Sequence, residues 1–303
     1  MTGFAGLQKN PSRHWREGAI RTLLMLCAWI SIATTVGVVV VLATESAGFF
    51  AAVPLSEFLF GTKWTPLLEP RSFGVLPLVC GTGLIVVGSG ILALPVGLAI
   101  AVYLSEIASS RSRRIVKPLL EVLAGIPTVV YGFFALTFVT PAIRAVLPST
   151  DFFNAASGAI VVAIMILPMV ASLCDDALRA VPGTIRHAAY SLGATKHEVT
   201  TGVVVPGALS GIIASFVLAL SRALGETMAV TLAAGATPRM TLNPLDGVQT
   251  MTAFMAQVST GDAPAGTLQY QSIFAVGMLL FLITLGMNLI AQRVLARYRE
   301  AYE

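Results

Sequence analysis

Two residues of opposite charge interrupt a long apolar stretch of this chain. Arg222 and Glu226 lie within the stretch 207–235. If that stretch is one helix with a rise of about 1.5 Å per residue, Arg222 lies roughly 20 Å from either end. At that depth a charge costs about 2.5–3.5 kcal/mol even on the lenient insertion scale, and an arginine cannot reach the headgroups. Both side chains are therefore expected to face the protein interior.

The spacing of the two charges leaves two hypotheses open. Residues four apart share one helix face, so Arg222 and Glu226 could partly neutralise each other. The arginine comes first, which is the less favourable order, so pairing alone does not account for them. We favour a polar translocation path that uses both side chains. The alternative is a structural ion pair that locks two helices together.

The composition defines the environment of these charges. The chain is 56% hydrophobic and 11% charged, whereas soluble domains carry about 25% charged residues. Apolar runs of about twenty residues recur, which predicts an all-α, polytopic membrane protein. Its cations cluster at the ends of these runs, so the basic balance does not indicate nucleic-acid binding. The three cysteines and three histidines lack ligand or disulfide spacing, so no metal site is predicted.

Six membrane spans are expected, separated by polar segments. A cytoplasmic tail of residues 1–18 precedes them. Two polar segments, 44–72 and 236–270, are assigned to the outer side, and a loop of residues 174–206 to the cytoplasm. The spans are predicted at about 19–43, 73–104, 118–147, 153–173, 207–235 and 272–291.

The distribution of lysine and arginine predicts the orientation. Six spans place both termini on one side of the membrane. Fourteen of the 19 lysines and arginines fall on that side, four fall on the other, and Arg222 is within a span. Cytoplasmic loops carry the excess of basic residues, so both termini are predicted to be cytoplasmic.

The third predicted span contains a helix-breaking pair, Gly125 and Pro127. Broken backbone at membrane depth is tolerated only against protein or water. Pro127 and the nearby Tyr131 are therefore candidates for lining the path. An ordinary helix kink, with the phenol reaching toward the membrane surface, fits the same residues equally well.

The loop 174–206 is too long for a simple connection, since helix–helix connections run about 2–8 residues. Ile185, Ala188, Ala189 and Leu192 recur at helical spacing, and Gly193 interrupts the pattern. This predicts a helix–turn–helix. Spacing alone is equally compatible with a helix on the membrane surface and one that enters a groove on a soluble partner.

The same loop resembles the EAA loop of ABC-importer membrane subunits. His187, Ala188, Ala189, Gly193 and Pro206 match that motif position for position, with Val203 and Val205 as conservative replacements. His187 stands where the motif has glutamate. The resemblance implies that these residues form the coupling helix and its flanks, which dock in a cleft of an ATPase subunit.

Further segments resemble the permeases of phosphate (Pst) importers, PstC-type rather than PstA-type. These are Phe60–Pro66, Phe73–Leu78, Leu123–Gly132 and Arg222–Thr227. The resemblance implies a type I ABC importer permease fold in the bacterial inner membrane. It also implies three partners: a PstA-type sibling permease, a PstB-type ATPase dimer that uses ATP and Mg, and an extracytoplasmic PstS-type phosphate-binding protein on the outer segments.

The chain itself is not expected to be an enzyme or to bind a cofactor. It contains no Gly-x4-Gly-Lys-Ser/Thr motif, so ATP hydrolysis is assigned to a separate chain. Phosphate carries about −1.5 to −2 charge near neutral pH. We predict that Arg222, always protonated and able to bind oxygens with two donors, contacts the anion transiently. Glu226 would neutralise Arg222 when the path is empty.

Three other classes of function fit the sequence less well than a phosphate permease. A permease for another oxyanion, molybdate or sulfate, would keep the same loop. A secondary transporter would need inverted repeats and acidic residues for ion coupling, and no such repeat is evident. A purely structural membrane protein would have no need of the Arg222 and Glu226 pair.

Overall fold

The computed structural model describes residues 11–66, 69–261, 263–264 and 266–298 of the 303. Residues 1–10 of the predicted tail lie outside this description. Within the described residues the fold is helical, and extended pairing is limited to one isolated antiparallel bridge, Trp64 to Phe73. The all-α prediction is confirmed.

Fourteen α-helices follow one another along the described chain, and three of the junctions are single π-helical turns (103–107, 135–139 and 200–204). The helices are α1 Pro11–Ala52, α2 Leu55–Phe60, α3 Leu76–Val102, α4 Ser110–Ala124, α5 Thr128–Phe134, α6 Thr140–Val146, α7 Ala155–Ala180, α8 Gly183–Ser191, α9 Lys196–Val199, α10 Val205–Gly207, α11 Leu209–Leu224, α12 Met228–Ala234, α13 Met251–Thr260 and α14 Leu268–Tyr298.

Five continuous helical stretches of the described chain are long and apolar enough to cross a membrane. A sixth span results if Lys196–Gly207 and Leu209–Leu224, which meet at an angle of 66°, are counted together. The polytopic prediction is confirmed. The five stretches are Glu17–Ala52, Leu76–Ile107, Thr128–Val146, Ala155–Ala180 and Leu268–Val294.

The predicted third span is two separate elements. The chain breaks at the predicted pair, Gly125 and Pro127, so that α4 ends at Ala124 and α5 begins at Thr128. Pro127 adopts an extended conformation (φ −57°, ψ 137°), and as proline it has no N–H with which to continue α4. The stretch that crosses the membrane therefore starts after Pro127. The amphipathic α4 holds its basic residues outside that span.

The predicted fifth span is also interrupted and lies earlier in the chain. Instead of one helix over 207–235, the chain bends at Ala208, α11 ends at Leu224 and α12 begins at Met228. Gly225 follows the last residue of α11 as its C-cap, with an ordinary φ of −86°. Arg222 and Glu226 consequently belong to different parts of the backbone, and the expectation of one shared helix face is wrong.

The remaining helices extend beyond the predicted spans. α1 continues to Ala52 and α14 covers Leu268–Tyr298, longer than the predicted 19–43 and 272–291. α7 continues to Ala180, seven residues beyond the predicted end at 173. Less of the 174–206 segment is therefore loop than the hydropathy pattern predicted.

α3 and α7 form the centre of the bundle, with α11 and α12 packed on α7. Val161, Val162, Ile166 and Val170 of α7 are completely buried. A Cβ on Gly97 of α3 would lie 2.6 Å from the Val170 Cγ1 atom, so only glycine permits this approach. The central pair is therefore held by close packing of small and branched side chains.

A second, aromatic core holds the segment between α1 and α3 against α13. Trp64 is 2% exposed, and its ring meets the ring of Phe254 edge to face, with centroids 4.8 Å apart. Phe58 and Phe73 meet the Trp64 ring in similar geometry, and Phe49 packs edge to face against both of them. This core fixes the polar segment 44–72 to the bundle.

Candidate functional site

Arg222 lies in the last turn of α11, two residues before the helix ends. A cation at this position interacts favourably with the negative end of the helix dipole. The sequence prediction placed it in the middle of a helix, and that placement is wrong because α11 ends at Leu224. Even so, about thirteen residues of α11 precede Arg222, which corresponds to about 20 Å.

Arg222 lines a cavity of about 360 Å³ that runs along one side of α7. The lining includes Pro168 and Met169, near the centre of this 26-residue span, and Asp175, near the end of the span. A charged side chain that lines a cavity beside a membrane span is a candidate for a substrate path.

Four charged side chains line this cavity. Arg222, Lys117 and Glu121 are exposed, and none of the three makes a hydrogen bond or ion pair within the described residues. Asp175 is 2% exposed and is bound by arginines outside the cavity. The cavity therefore offers two available cations against one available carboxylate. The rest of its lining is Leu104, Leu120, Ala124, Met165, Pro168, Met169, Ser172 and Leu173.

Glu226 is held by the backbone that follows it. Its Oε1 atom accepts a hydrogen bond from the Ala229 N–H at 3.1 Å, and its carbonyl accepts one from the Thr252 hydroxyl at 2.7 Å. No ion pair joins it to Arg222 in the part of the chain described here. Its carboxylate thus stabilises the start of α12.

Tyr131 and Pro127 take up different positions around the helix break. Tyr131 is 5% exposed, and its hydroxyl donates to the Leu123 carbonyl at 2.7 Å, which connects α5 to the end of α4. Pro127 is exposed at the start of α5. Neither lines the cavity around Arg222. Tyr131 thus holds the two sides of the helix break together, and path lining by either residue stays a prediction.

The predicted coupling loop is a helix–turn–helix, as its spacing indicated. α8 carries His187, Ala188 and Ala189, and Gly193 follows in a left-handed conformation (φ +85°). The Ala194 N–H donates to the Ala189 carbonyl and the Gly193 N–H to the Tyr190 carbonyl. These two bonds form a Schellman motif, which requires the positive φ that glycine adopts without strain.

The segment that follows the turn, from α9 to α10, also has a defined local structure. Thr195 and Glu198 form a capping box at the start of α9. His187 and Ala188 are exposed, and so are two larger side chains, Tyr190 (43%) and Leu192 (89%). Pro206 is exposed in α10, just before the bend into α11. The turn therefore exposes two large, mainly apolar side chains, Tyr190 and Leu192.

A cluster of ion pairs lies beside this loop and could not be predicted from the sequence. Charged residues at helix ends are common in membrane proteins, and no spacing links residues that lie up to 80 positions apart. We call this group the polar cluster. It consists of Glu106, Arg113, Asp175, Arg179 and Arg186.

The described chain thus combines a membrane-spanning helical bundle, a charged cavity beside α7 and an exposed helix–turn–helix. The chain belongs to the family described as binding-protein-dependent transport system inner membrane component, whose model matches residues 93–300. It is therefore a multi-pass inner-membrane permease subunit of an ABC importer.

Three relatives with similar sequences are named as permeases of the same class. The chain is 31% identical over 280 residues to a probable ABC transporter permease, YqgH, of Bacillus subtilis, covering 92% of this chain and 90% of that protein. It is 30% identical to the phosphate transport system permease PstC of Haemophilus influenzae, covering 97% of each chain. It is 33% identical to PstC of Mesorhizobium japonicum, covering 80% of this chain and 78% of that one.

Solved structures share the fold at low sequence identity. The MetNI methionine ABC transporter in an inward-facing conformation matches with a TM-score of 0.60 and 19% identity, over 77% of this chain and all of that one. A bacterial ABC transporter that imports the polysaccharide alginate matches with a TM-score of 0.54 and 16% identity, over 95% of this chain and all of that one.

Proposed function

We propose that this chain is the permease subunit of an ATP-driven importer of inorganic phosphate and that Arg222 contacts the anion during passage. The cavity beside α7 carries the proposal, because it holds a guanidinium without a hydrogen-bond or ion-pair partner among the described residues. The names of the PstC relatives support phosphate as the substrate.

The electrostatics of the cavity suit a multiply charged oxyanion. Phosphate brings about −1.5 to −2 charge, which a low-dielectric core disfavours unless a cation compensates it. Arg222 can bind two oxygens at once, and Lys117 adds a second positive charge to the same lining. Since neither cation is held in an ion pair within the described chain, neither must first be released. Glu121, on the same lining, limits the net positive charge, which favours release of the anion.

Energy for transport would come from a separate ATPase, PstB-like and dimeric, that uses ATP and Mg. The turn between α8 and α9, with Tyr190 and Leu192 exposed at its tip, has the shape and polarity to enter a cleft on that subunit. A PstA-like sibling permease would complete the path. A PstS-like binding protein would deliver phosphate to the segments 44–72 and 236–270, with both termini of this chain in the cytoplasm.

The test is phosphate uptake by the assembled complex in proteoliposomes. Arg222→Ala should abolish uptake. Arg222→Lys keeps the positive charge but loses the planar guanidinium that binds two oxygens at once, so this variant should retain part of the uptake. The control is Arg111→Gln, because Arg111 is exposed on α4, makes no described polar contact and lies outside the cavity. Normal uptake by an assembled Arg222→Ala complex would exclude the proposed contact.

The choice of anion is tested separately by competition. Excess sulfate or molybdate should leave labelled phosphate uptake unchanged in the wild-type complex. Strong inhibition by either anion would instead assign the chain to the alternative, a permease for another oxyanion.

A further inference from the structure

The polar cluster connects the coupling loop to three other elements of the fold. Glu106 lies in the π-helical turn that ends α3, Arg113 on α4, Asp175 and Arg179 near the end of α7, and Arg186 on α8. The loop motif contains none of these five residues. Apart from Asp175, none of them lines the cavity around Arg222.

Arg186 is the residue that joins α8 to the spans. Its Nη1 atom donates to the Glu106 Oε1 atom at 2.8 Å, and its Nη2 atom donates to the Leu178 carbonyl at 2.6 Å. The Arg186 and Glu106 side chains are 20% and 6% exposed. One guanidinium thus binds the end of α3 and the end of α7 at the same time.

Asp175 extends the cluster toward α4 and the cavity. Its carboxylate accepts from Arg179 at 3.0 Å and from Arg113 at 3.4 Å, and Arg113 also donates to the Leu104 carbonyl. Leu104 and Asp175 both line the cavity that Arg222 lines. The elements bound by the cluster are therefore the ones that shape one side of the candidate substrate path.

Apolar burial does little to hold α8 in place, since none of its nine residues is buried. Separating a buried ion pair leaves a charge without compensation, which is costly. Arg186 should therefore move together with Glu106 and Leu178 rather than independently of them. The π-helical turn that carries Glu106 is a type of irregularity that often occurs at functional sites.

We propose that Arg186 and Glu106 are positioning residues that transmit displacement of α8 to the adjoining ends of α3 and α7, and so to the cavity at Arg222. This inference rests on the proposed coupling of the chain to an ATPase. It assigns the mechanical connection to an ion pair within this chain, separate from the residues that touch the ATPase.

The experiment measures phosphate uptake and ATP hydrolysis separately in the assembled complex. Arg186→Gln and Glu106→Gln should each lower the phosphate moved per ATP hydrolysed by about tenfold, within the range typical of coupling between sites. The amount of co-purified ATPase should not change. If the two residues act through each other, the double variant should be no worse than the more impaired single variant.

Arg111→Gln is the control, and it should keep the wild-type ratio of uptake to hydrolysis. Wild-type ratios in both single variants would overturn the proposal, and so would a double variant whose loss is the product of the two single losses. Should Arg186→Gln fail to assemble, Arg186→Lys replaces it. One ammonium cannot reproduce both bonds of the guanidinium, so an unchanged ratio in Arg186→Lys would also overturn the proposal.

The wild-type complex separates this inference from the proposed function. If it neither binds an ATPase nor accumulates phosphate, the proposed function fails. If it does both while the variants remain fully coupled, only the role of Arg186 and Glu106 fails.

Discussion

The carboxylate of Glu226 accepts a hydrogen bond from the backbone N–H of Ala229 at 3.1 Å and forms no ion pair with Arg222, four residues before it. The interruption at Gly225 separates the two charged side chains. Arg222 lines the cavity, whereas the Glu226 carboxylate stabilises the start of α12 through its hydrogen bond to Ala229. The two residues should therefore respond differently to substitution.

Glu226→Gln should retain the hydrogen bond to Ala229, since its side-chain carbonyl can still accept, whereas Glu226→Ala should lose it. We expect Glu226→Ala to be less stable than Glu226→Gln by about 1 kcal/mol, the usual size of a capping contribution. Unfolding of the purified protein in detergent measures this difference. Equal stability of the two variants would contradict the capping role.

The charge of Glu226 is tested by the same Glu226→Gln variant in the uptake assay. If the carboxylate limits the positive charge of the path, its neutralisation should slow phosphate release and lower the maximal uptake rate. Unchanged uptake would leave Glu226 with its structural role alone.

Lys117→Gln should reduce phosphate uptake less than Arg222→Ala does. Removing one partly solvated charge near the anion costs about 1 kcal/mol, which corresponds to about fivefold. The effect should appear in the concentration dependence of uptake by proteoliposomes. Arg111→Gln removes a cation from the same helix outside the cavity, and an equal loss there would show that the effect is not specific to the site.

Gly193→Ala should destabilise the coupling loop by about 1–2 kcal/mol, because a Cβ is unfavourable at a φ of +85°. We expect less ATPase to co-purify with this variant. Gly202→Ala is the matched control, since Gly202 lies in the same loop region with an ordinary φ and no atom within 4 Å of an added Cβ. Equal behaviour of the two variants would argue against a role for the Schellman turn.

Trp64→Ala should destabilise the fold by about 3–5 kcal/mol, because it removes a buried ring from the aromatic core. Trp29→Ala serves as the control, as Trp29 is 68% exposed on α1. Thermal unfolding in detergent compares the two variants. A similar loss of stability in both would show that the packing against Phe254 is not what holds the 44–72 segment.

Much of the architecture could be predicted from the sequence because lipid restricts backbone geometry. A chain that crosses hydrocarbon must satisfy its backbone hydrogen bonds internally, so long apolar runs predict helices directly. The break at Gly125 and Pro127 and the turn at Gly193 were also predictable, since each depends on the backbone chemistry of one or two residues. The helix–turn–helix that the spacing of residues 185–193 predicted is also present, with His187, Ala188 and Ala189 on α8.

Only the tertiary structure decided where α11 ends, which groups bind Glu226, and that Arg222 shares a cavity with Lys117. The ion pair of Arg186 with Glu106 joins residues 80 positions apart, and it depends on the packing of α8 against the ends of α3 and α7. Apolar runs specify local helices through the backbone hydrogen bonds that lipid requires. The partner of a charged side chain depends on the three-dimensional arrangement of those helices, to which no local spacing corresponds.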